Sequence, residues 1–265
     1  MELCSITSGS SGNCIYVGSD YTHLIVDAGI SGKRIDEGLN SLGLKTEDLN
    51  GILITHEHSD HIAALGVLSR RYGIPIYASK GTIEGILASK SMGTIPRELF
   101  HEISADESFE INDIRVNPIR VSHDANEPLA YRLENSGHSM GVCTDLGKYD
   151  DYIVDSFKGV EVLLLEANHD VNMLQVGKYP YYLKRRILGE RGHLSNESSG
   201  KLLCRLLHDD LKMVLLGHLS AENNLAELAY ETVRLEILMD ETAYRPDDFQ
   251  IKVASRSECS ERIAI

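Results

Sequence analysis

Three histidines and an aspartate, all of kinds that bind metals, lie within the six residues 56–61 of the stretch 55–61, Thr-His-Glu-His-Ser-Asp-His. They follow the apolar run Ile-Leu-Ile, which predicts a buried strand with the polar residues on the loop at its C-terminal end. His56 and His58 are two residues apart, so both can point the same way from an extended backbone. Asp60 and His61 come one turn later and can face a second ion. Imidazole and carboxylate together suit zinc and related divalent metals, and the surplus of groups predicts a pair of ions.

The alternative for this stretch is an exposed polar loop that happens to be rich in histidine. A structural zinc site would more usually recruit cysteines. The chain has five cysteines, but they are widely spaced and no two form a Cys-x-x-Cys pair. They are typical of reduced thiols in a cytoplasmic protein, where free cysteine packs as a small core residue. We therefore favour a functional metal site at residues 55–61.

The bulk properties limit the classes of protein to which the chain can belong. Its 265 residues are enough for a sizeable core, and we expect a single domain over residues 1–265. No apolar stretch approaches the roughly 20 residues of a membrane span, and no signal peptide is evident, so we predict a cytoplasmic protein without membrane contact. The net charge of −14 argues against a generally basic, nucleic-acid-binding surface. A nucleic-acid site would have to be a local basic patch.

Alternating strand-like and helix-like segments must position the candidate ligands, and they predict a mixed α and β domain. The predicted strands are 3–6, 14–17, 21–27, 51–55, 74–77, 159–166 and 212–216, with β-rich sequence over 107–143. The predicted helices are 31–42, 62–72, 80–90, 180–188, 195–208 and 222–239. The turn at residues 8–13, Ser-Gly-Ser-Ser-Gly-Asn, is either a tight hairpin or a set of backbone N–H groups that contact phosphate.

The His-x-His-x-Asp-His pattern after a short strand resembles the signature of the metallo-β-lactamase superfamily. Four further elements arrive in the order of that family. They are Asp27 in Val-Asp-Ala-Gly, His123 in Ser-His-Asp, Asp145 in Thr-Asp-Leu-Gly and His218 in Leu-Gly-His. The resemblance implies an αββα four-layer sandwich, in which two mixed β-sheets are flanked by helices.

The resemblance also implies a ligand set for two divalent cations, which would be zinc, manganese or iron. One cation would be held by His56, His58 and His123. The other would be held by Asp60, His61 and His218. Asp145 would bridge them, and Asp27 would support a ligand histidine from behind.

Two elements indicate phosphodiester chemistry. Glu166, in Leu-Glu-Ala-Asn-His-Asp, and His193, in Gly-His-Leu-Ser, resemble elements of the transfer-RNA 3′-processing nucleases. The resemblance implies that His193 approaches the scissile phosphate and that Glu166 orients it. The alternative for His193 is a structural histidine at a helix entry, with Ser195 as the N-cap. His169 is an accessory candidate, for either a metal or the substrate.

One segment between His169 and His193 is both basic and aromatic. Tyrosine rings stack on bases, and lysine and arginine meet phosphates, so this segment is a candidate for substrate binding. The alternative is an amphipathic surface helix with its tyrosines packed inward. The candidate contacts are Lys178, Tyr181, Lys184, Arg185 and Arg186.

Within the superfamily, the motifs closely resemble those of the YycJ/WalJ family of compact bacterial proteins. Only about 70 residues separate Asp145 from His218, too few for the inserted domain of the β-CASP nucleases. The resemblance implies a 5′-to-3′ exonuclease on double-stranded DNA, linked to DNA repair, with Asp60, His193 and Glu166 as catalytic residues. The alternatives are a phosphodiesterase for small cyclic phosphates, an RNA-processing nuclease, and a regulatory module whose metals are structural.

Overall fold

A computed structural model describes residues 1–265 and contains fourteen strands in two seven-stranded sheets. The strands are β1 (Glu2–Thr7), β2 (Cys14–Gly18), β3 (His23–Val26), β4 (Gly51–Leu53), β5 (Ile76–Ala78), β6 (Phe100–Glu102), β7 (Phe109–Ile111), β8 (Ile114–Arg120), β9 (Leu129–Asn135), β10 (His138–Cys143), β11 (Val162–Glu166), β12 (Met213–Gly217), β13 (Gln250–Val253) and β14 (Ile263–Ala264). The first sheet has the order β14-β1-β2-β3-β4-β5-β6, and the second has the order β13-β12-β11-β10-β9-β8-β7.

Nine α-helices connect these strands, with short 3₁₀ turns at residues 46–48, 90–92 and 97–99. The helices are α1 (Gly32–Ser41), α2 (Ser59–Ile62), α3 (Leu65–Tyr72), α4 (Lys80–Ala88), α5 (Asp151–Phe157), α6 (Val171–Val176), α7 (Tyr181–Ile187), α8 (Asn196–Leu206) and α9 (Ala226–Met239). None of them combines the length and the apolar character that crossing a membrane requires.

Both sheets are mixed. In the first, β1, β2 and β3 pair antiparallel, whereas β3 to β6 pair parallel. In the second, β7 to β10 pair antiparallel, whereas β10 to β13 pair parallel. Each sheet therefore has a parallel half, in which the carboxyl ends of neighbouring strands meet at one edge.

Alternation of side chains along the strands divides the core into three apolar layers. Leu24 and Val26 of β3 belong to a layer that also contains Leu164 and Leu215 of the second sheet. Ile25, between them, faces outward and packs with residues of α1 and α3. On the far side of the second sheet, a third layer packs against α5, α8 and α9. Two facing sheets with helices outside each one confirm the predicted αββα sandwich.

The structure differs from the predicted elements at two helices. The predicted helix over 62–72 is broken between α2 and α3, because the backbone N–H of Ala64 donates to the carbonyl of Ala28 instead of extending α2. The helix predicted over 222–239 begins at Ala226, after a turn in which the Ser220 hydroxyl accepts two backbone N–H groups. The short elements β6, α5, α6, β13 and β14 were missed. The assignment of residues 1–265 to one domain stays a prediction.

Close packing of Gly29 against Asp60 generates a testable prediction. A Cβ atom on Gly29 would lie 1.7 Å from the carbonyl oxygen of Asp60, whereas one on Gly32 would find its nearest neighbour at 3.7 Å. We expect Gly29→Ala to lower the free energy of unfolding by about 1–3 kcal/mol, as overpacking does. Urea denaturation measures the change, with Gly32→Ala as the matched control. Equal stability of the two variants would contradict the close approach.

Candidate metal centre

The candidate ligands lie at the carboxyl ends of strands, where the two sheets meet. His56 and His58 follow β4 of the first sheet, while Asp145 follows β10 and His218 follows β12 of the second. His123 follows β8, which runs in the same direction as β10 because each is antiparallel to β9. The mixed topology thus brings residues that are distant in sequence to one edge of the sandwich.

Three of these strand ends turn through left-handed backbone, which non-glycine residues rarely adopt. Asp27 has φ 65°, Asp145 has φ 57° and His218 has φ 55°. Each such residue costs on the order of 1 kcal/mol or more and persists only where surrounding contacts enforce it. All three side chains belong to or contact the candidate ligand cluster, so half of the six non-glycine residues with positive φ lie at this site.

The first group of candidate ligands contains His56, His58 and His123. His56 Nε2 lies 2.9 Å from His58 Nδ1, and His123 Nε2 lies 3.4 Å from the same atom. One nitrogen of each ring lies within 4.8 Å of the others, close enough for all three to bind a single cation.

The second group contains Asp60, His61 and His218, whose ligand atoms also lie within 4.8 Å of one another. His61 Nε2 is 3.5 Å from the Asp60 carboxylate. The rings of His61 and His218 stack with their centroids 5.6 Å apart. Two histidines and a carboxylate therefore converge beside the first group.

Asp145 lies between the two groups. Its Oδ1 is 3.3 Å from His218 Nε2 and 3.6 Å from His123 Nε2. Its Oδ2 lies 3.3 Å from His61 Nε2, yet this buried oxygen has no partner with hydrogen-bond geometry. A buried carboxylate with one unpartnered oxygen, placed between imidazoles of both groups, completes a donor set that fits divalent metal ions.

The pKa shifts of His56, His123 and Asp145 agree with this fit. Burial, and then the neighbouring His61, hold the pKa of His56 well below its usual range, and burial also lowers the pKa of His123. Both rings are thereby kept in the neutral form that binds metal. Burial alone would raise the pKa of Asp145, but His218 and His61 outweigh burial and hold it well below its usual range. The carboxylate stays charged.

Asp27 makes hydrogen bonds to two residues of the stretch 55–61. Its Oδ2 accepts a hydrogen bond of 2.7 Å from His61 Nδ1, and its Oδ1 accepts the backbone N–H of Thr55 at 2.8 Å. Because Nδ1 of His61 is engaged in this way, its Nε2 faces Asp145 and Asp60. A carboxylate behind a histidine fixes the tautomer and the orientation of the ring.

Buried Glu166 and partly exposed His193 form a hydrogen-bonded pair at the edge of the cluster. His193 Nδ1 donates to Glu166 Oε1 at 2.7 Å and lies 3.8 Å from Asp145 Oδ1. Glu166 Oε2 accepts the backbone N–H groups of Leu146 at 2.7 Å and Leu194 at 3.3 Å. Burial alone would lower the pKa of His193, but Glu166 outweighs it and raises that pKa to about 9. The imidazole is therefore held protonated and fixed in orientation.

His169 lies apart from the candidate ligand groups and does not line the cavity over them. Its backbone pairs with Ser195 in an isolated bridge, and neither ring nitrogen has a hydrogen-bond partner. Burial lowers its pKa to about 4. The ring is neutral and enclosed, and its accessory role stays a prediction.

A cavity of about 210 Å³ opens over the cluster. Of the five predicted contacts in the basic segment, Arg186 lines this cavity, and Lys178, Tyr181, Lys184 and Arg185 do not. Sequence reasoning missed Asp124. Its carboxylate accepts hydrogen bonds from Nε of Arg186 and, at 3.0 Å, from a terminal nitrogen of the same guanidinium. The adjacent Ser-His-Asp motif contained Asp124, but nothing in the sequence paired it with an arginine 62 residues away.

The remaining wall of the cavity also contains side chains that sequence reasoning passed over. Tyr179, Leu183 and Ile187, from α7 and the turn before it, line one side, and Asn168 lines another. Asn168 Nδ2 donates to the carbonyl of His218 at 2.9 Å. The tyrosines on the outer side of α7 are not packed inward, since Tyr181 is 75% and Tyr182 is 74% exposed.

Comparison with known proteins finds relatives over most of the chain. The model of the beta-lactamase superfamily domain matches residues 22–219. The exodeoxyribonuclease YycJ of Bacillus anthracis is 41% identical over 88% of each chain. The exodeoxyribonuclease WalJ of Streptococcus pneumoniae is 42% identical over 86% of this chain and 85% of its own.

A solved structure has the same architecture. The metallo-beta-lactamase fold protein YhfI from Bacillus subtilis superposes with a TM-score of 0.71, covering 98% of both chains at 16% sequence identity. At that identity the likeness supports the fold alone. It agrees with the two facing sheets and their outer helices.

The three N–H groups that converge on Glu166 generate a prediction about stability. A glutamine at this position has one acceptor oxygen, so at least one of the donors from Leu146, Leu194 and His193 would face an N–H₂ group. We expect Glu166→Gln to lower the free energy of unfolding by about 1–3 kcal/mol. The control is Glu190→Gln, on an exposed carboxylate paired with Lys148, with a change within about 0.5 kcal/mol. Urea denaturation in EDTA measures both, and an unaffected Glu166→Gln variant would refute the expectation.

Proposed function

Because the chain belongs to the beta-lactamase superfamily, and within it to the YycJ/WalJ family, we propose that it hydrolyses DNA with two divalent cations. The family membership that the motifs predicted is thereby confirmed, and the chain is a metal-dependent hydrolase. The finer proposal is an exonuclease that digests double-stranded DNA from 5′ to 3′ in DNA repair. One observation carries the proposed hydrolysis, namely the 2.7 Å contact between His193 and Glu166, which places His193 3.8 Å from Asp145.

The two ligand groups would hold one cation each. His56, His58 and His123 would hold the first; Asp60, His61 and His218 would hold the second; Asp145 would bridge them. This assignment is supported by the convergence of each group within 4.8 Å and by the unpartnered Asp145 oxygen. The donor set suits zinc, manganese or iron. Bound there, such ions supply Lewis acidity toward a phosphoryl oxygen and a lowered pKa of water.

His193 is the group of this chain best placed to handle a proton. Its Nδ1–H is bound to Glu166, so Nε2 is the atom left to donate. A cationic imidazole in the wall of the cavity stabilises negative charge on a phosphoryl oxygen. The proton on Nε2 can then pass to the leaving oxygen, as general-acid catalysis requires. Glu166 holds the tautomer, and the backbone N–H groups of Leu146 and Leu194 hold Glu166.

Arg186 brings a guanidinium to the same cavity, where Asp124 pairs with one edge of it. Its guanidinium is oriented by Asp124, and the hydrogen bond to that carboxylate raises the pKa of Arg186. An oriented guanidinium recognises phosphate through paired N–H donors. Since the chain carries a net charge of −14, a local contact of this kind is what a polyanionic substrate needs. We propose that Arg186 binds a phosphate beside the scissile one.

The size of the cavity favours a substrate that extends beyond it. Its volume of about 210 Å³ is below the ~300–1,000 Å³ typical of small-molecule sites. A phosphodiester group fits, and the rest of the substrate would lie outside, along α7. The outer surface of α7 carries Tyr181, Tyr182 and Arg185. Exposed rings beside positive charges are suited to nucleobases and phosphates.

Digestion of labelled duplex DNA tests this function. We expect 5′-labelled linear duplex to release labelled mononucleotide from the first turnover in Mn²⁺ or Zn²⁺, and 3′-labelled duplex to release its label late. Asp60→Ala removes a metal ligand and should abolish cleavage. His193→Ala should slow cleavage about 10²–10⁴-fold, the usual contribution of a general acid. His138→Ala, at the amino end of β10 and paired with Glu161, is the control and should retain full activity.

Three outcomes would contradict the proposal. Absence of cleavage with every divalent metal would rule out the nuclease function. Cleavage that Asp60→Ala leaves unchanged would rule out the site assignment. Hydrolysis of a chromogenic phosphodiester without any digestion of duplex DNA would identify a phosphodiesterase for small molecules instead.

The exposed tyrosines of α7 generate a second prediction. Stacking on a base contributes about 1–3 kcal/mol, and about 1.4 kcal/mol is a tenfold change in affinity. We expect the double variant Tyr181→Ala, Tyr182→Ala to bind DNA at least about tenfold more weakly, while hydrolysis of a small chromogenic phosphodiester is unchanged. Tyr21→Ala is the matched control, since Tyr21 is 80% exposed on the turn between β2 and β3. Equal DNA affinity of both variants and wild type, measured by fluorescence anisotropy, would remove α7 from the binding surface.

A further inference from the structure

The turn between β1 and β2, residues 8–13, lies beside the candidate metal centre. Its last residue, Asn13, is 1% exposed. The backbone N–H groups of Ser8, Ser10 and Gly12 donate to carbonyls of Ser255, Leu219 and Gly9. That of Gly9 donates to the Asn13 side chain. These donors are already engaged within the protein, which argues against the phosphate-binding interpretation of this turn.

Two contacts with Gly9 fix which way the Asn13 carboxamide faces. Its Oδ1 accepts the backbone N–H of Gly9 at 3.0 Å, and its Nδ2 donates to the carbonyl of Gly9 at 3.2 Å. A flipped amide would place a donor against the N–H and an acceptor against the carbonyl. The carboxamide therefore presents its oxygen on one side and its N–H₂ on the other.

The oxygen side faces His218. Asn13 Oδ1 lies 3.3 Å from His218 Nδ1, so this nitrogen must carry the proton and donate. The Ser8 hydroxyl accepts the backbone N–H of His218 at 2.9 Å. With Nδ1 engaged, Nε2 of His218 is turned toward Asp145 Oδ1 at 3.3 Å.

The N–H₂ side of Asn13 faces Asp60 and His61 on α2. Its backbone N–H donates to the carbonyl of Asp60 at 2.8 Å. Its Nδ2 lies 3.2 Å from His61 Nε2 and 3.5 Å from the Asp60 carbonyl. When His61 Nε2 is occupied by a cation, the amide keeps the carbonyls of Gly9 and Asp60 as acceptors.

We propose that Asn13 is a positioning residue for the second cation group, Asp60, His61 and His218. It links His218, which follows β12 of the second sheet, to Asp60 and His61 on α2, which follows β4 of the first sheet, and it sets the tautomer of His218. Asn13 makes no hydrogen bond to His56, His58 or His123, so we expect its effect to fall on one of the two cations. The inference depends on the proposed pair of cations and names a residue that acts on one of them.

Cation binding without DNA tests this role. We expect apo wild-type protein to bind two Zn²⁺ ions in calorimetric titration. In Asn13→Ala, one of the two dissociation constants should rise about 10–100-fold, as loss of a residue that orients a ligand does, and the other should change less than about threefold. The control is Asn196→Ala, which removes a fully buried asparagine bonded to Asn224. Asn196 contacts no ligand, so this variant should lose stability and keep both affinities.

The outcomes separate this inference from the proposed function. Two unchanged affinities in Asn13→Ala would overturn the positioning role while leaving the two-cation centre intact. Failure of the wild type to bind a second cation would overturn both. If Asn13→Ala does not fold, the wild type still provides a test through ¹⁵N NMR of the metal-free protein, in which no cation decides which nitrogen of His218 carries the proton. A neutral His218 ring with its proton on Nδ1 supports the role, and one with its proton on Nε2 overturns it.

Discussion

A buried carboxylate surrounded by imidazoles is the interaction on which this structure depends. Asp145 is 3% exposed, and histidines reach it from both sheets, with His61 on one side and His218 on the other. A charge in that position is expensive to bury unless positive groups compensate it. Each histidine has its remaining nitrogen or its backbone held by another residue. The surrounding bonds can therefore be understood as supports for one compensated charge.

The strand ends meet the same requirement through their backbone. Asp27, Asp145 and His218 occupy left-handed conformations that cost free energy. A strand that continued straight would carry its next side chain past the edge of the sheet. The left-handed turn instead directs each of these three side chains toward the candidate ligand cluster. The apolar layers between and outside the sheets supply the stability that outweighs this local cost.

The parts of the site that sequence predicts are those governed by local spacing. His56 to His61 are adjacent, and His123, Asp145 and His218 each follow a strand-like run, so their position at one edge follows from the fold class. Tertiary bonds decide the rest. The break between α2 and α3 depends on the Ala28 carbonyl, and the outward orientation of Tyr181 depends on how α7 docks. The role of Asn13 rests on contacts with His218, 205 residues away.

That separation in sequence has a consequence for how the protein folds. Closing loops of this length costs entropy before any contact compensates it, so pairings of this kind form late in folding. The turn at residues 8–13 lies near the start of the chain. The residues that it contacts directly after β12 belong to the final quarter. The cation site is thus completed only when the two sheets dock. Ions that bind the docked form alone then stabilise it by mass action, which couples the supply of metal to the lifetime of the folded protein.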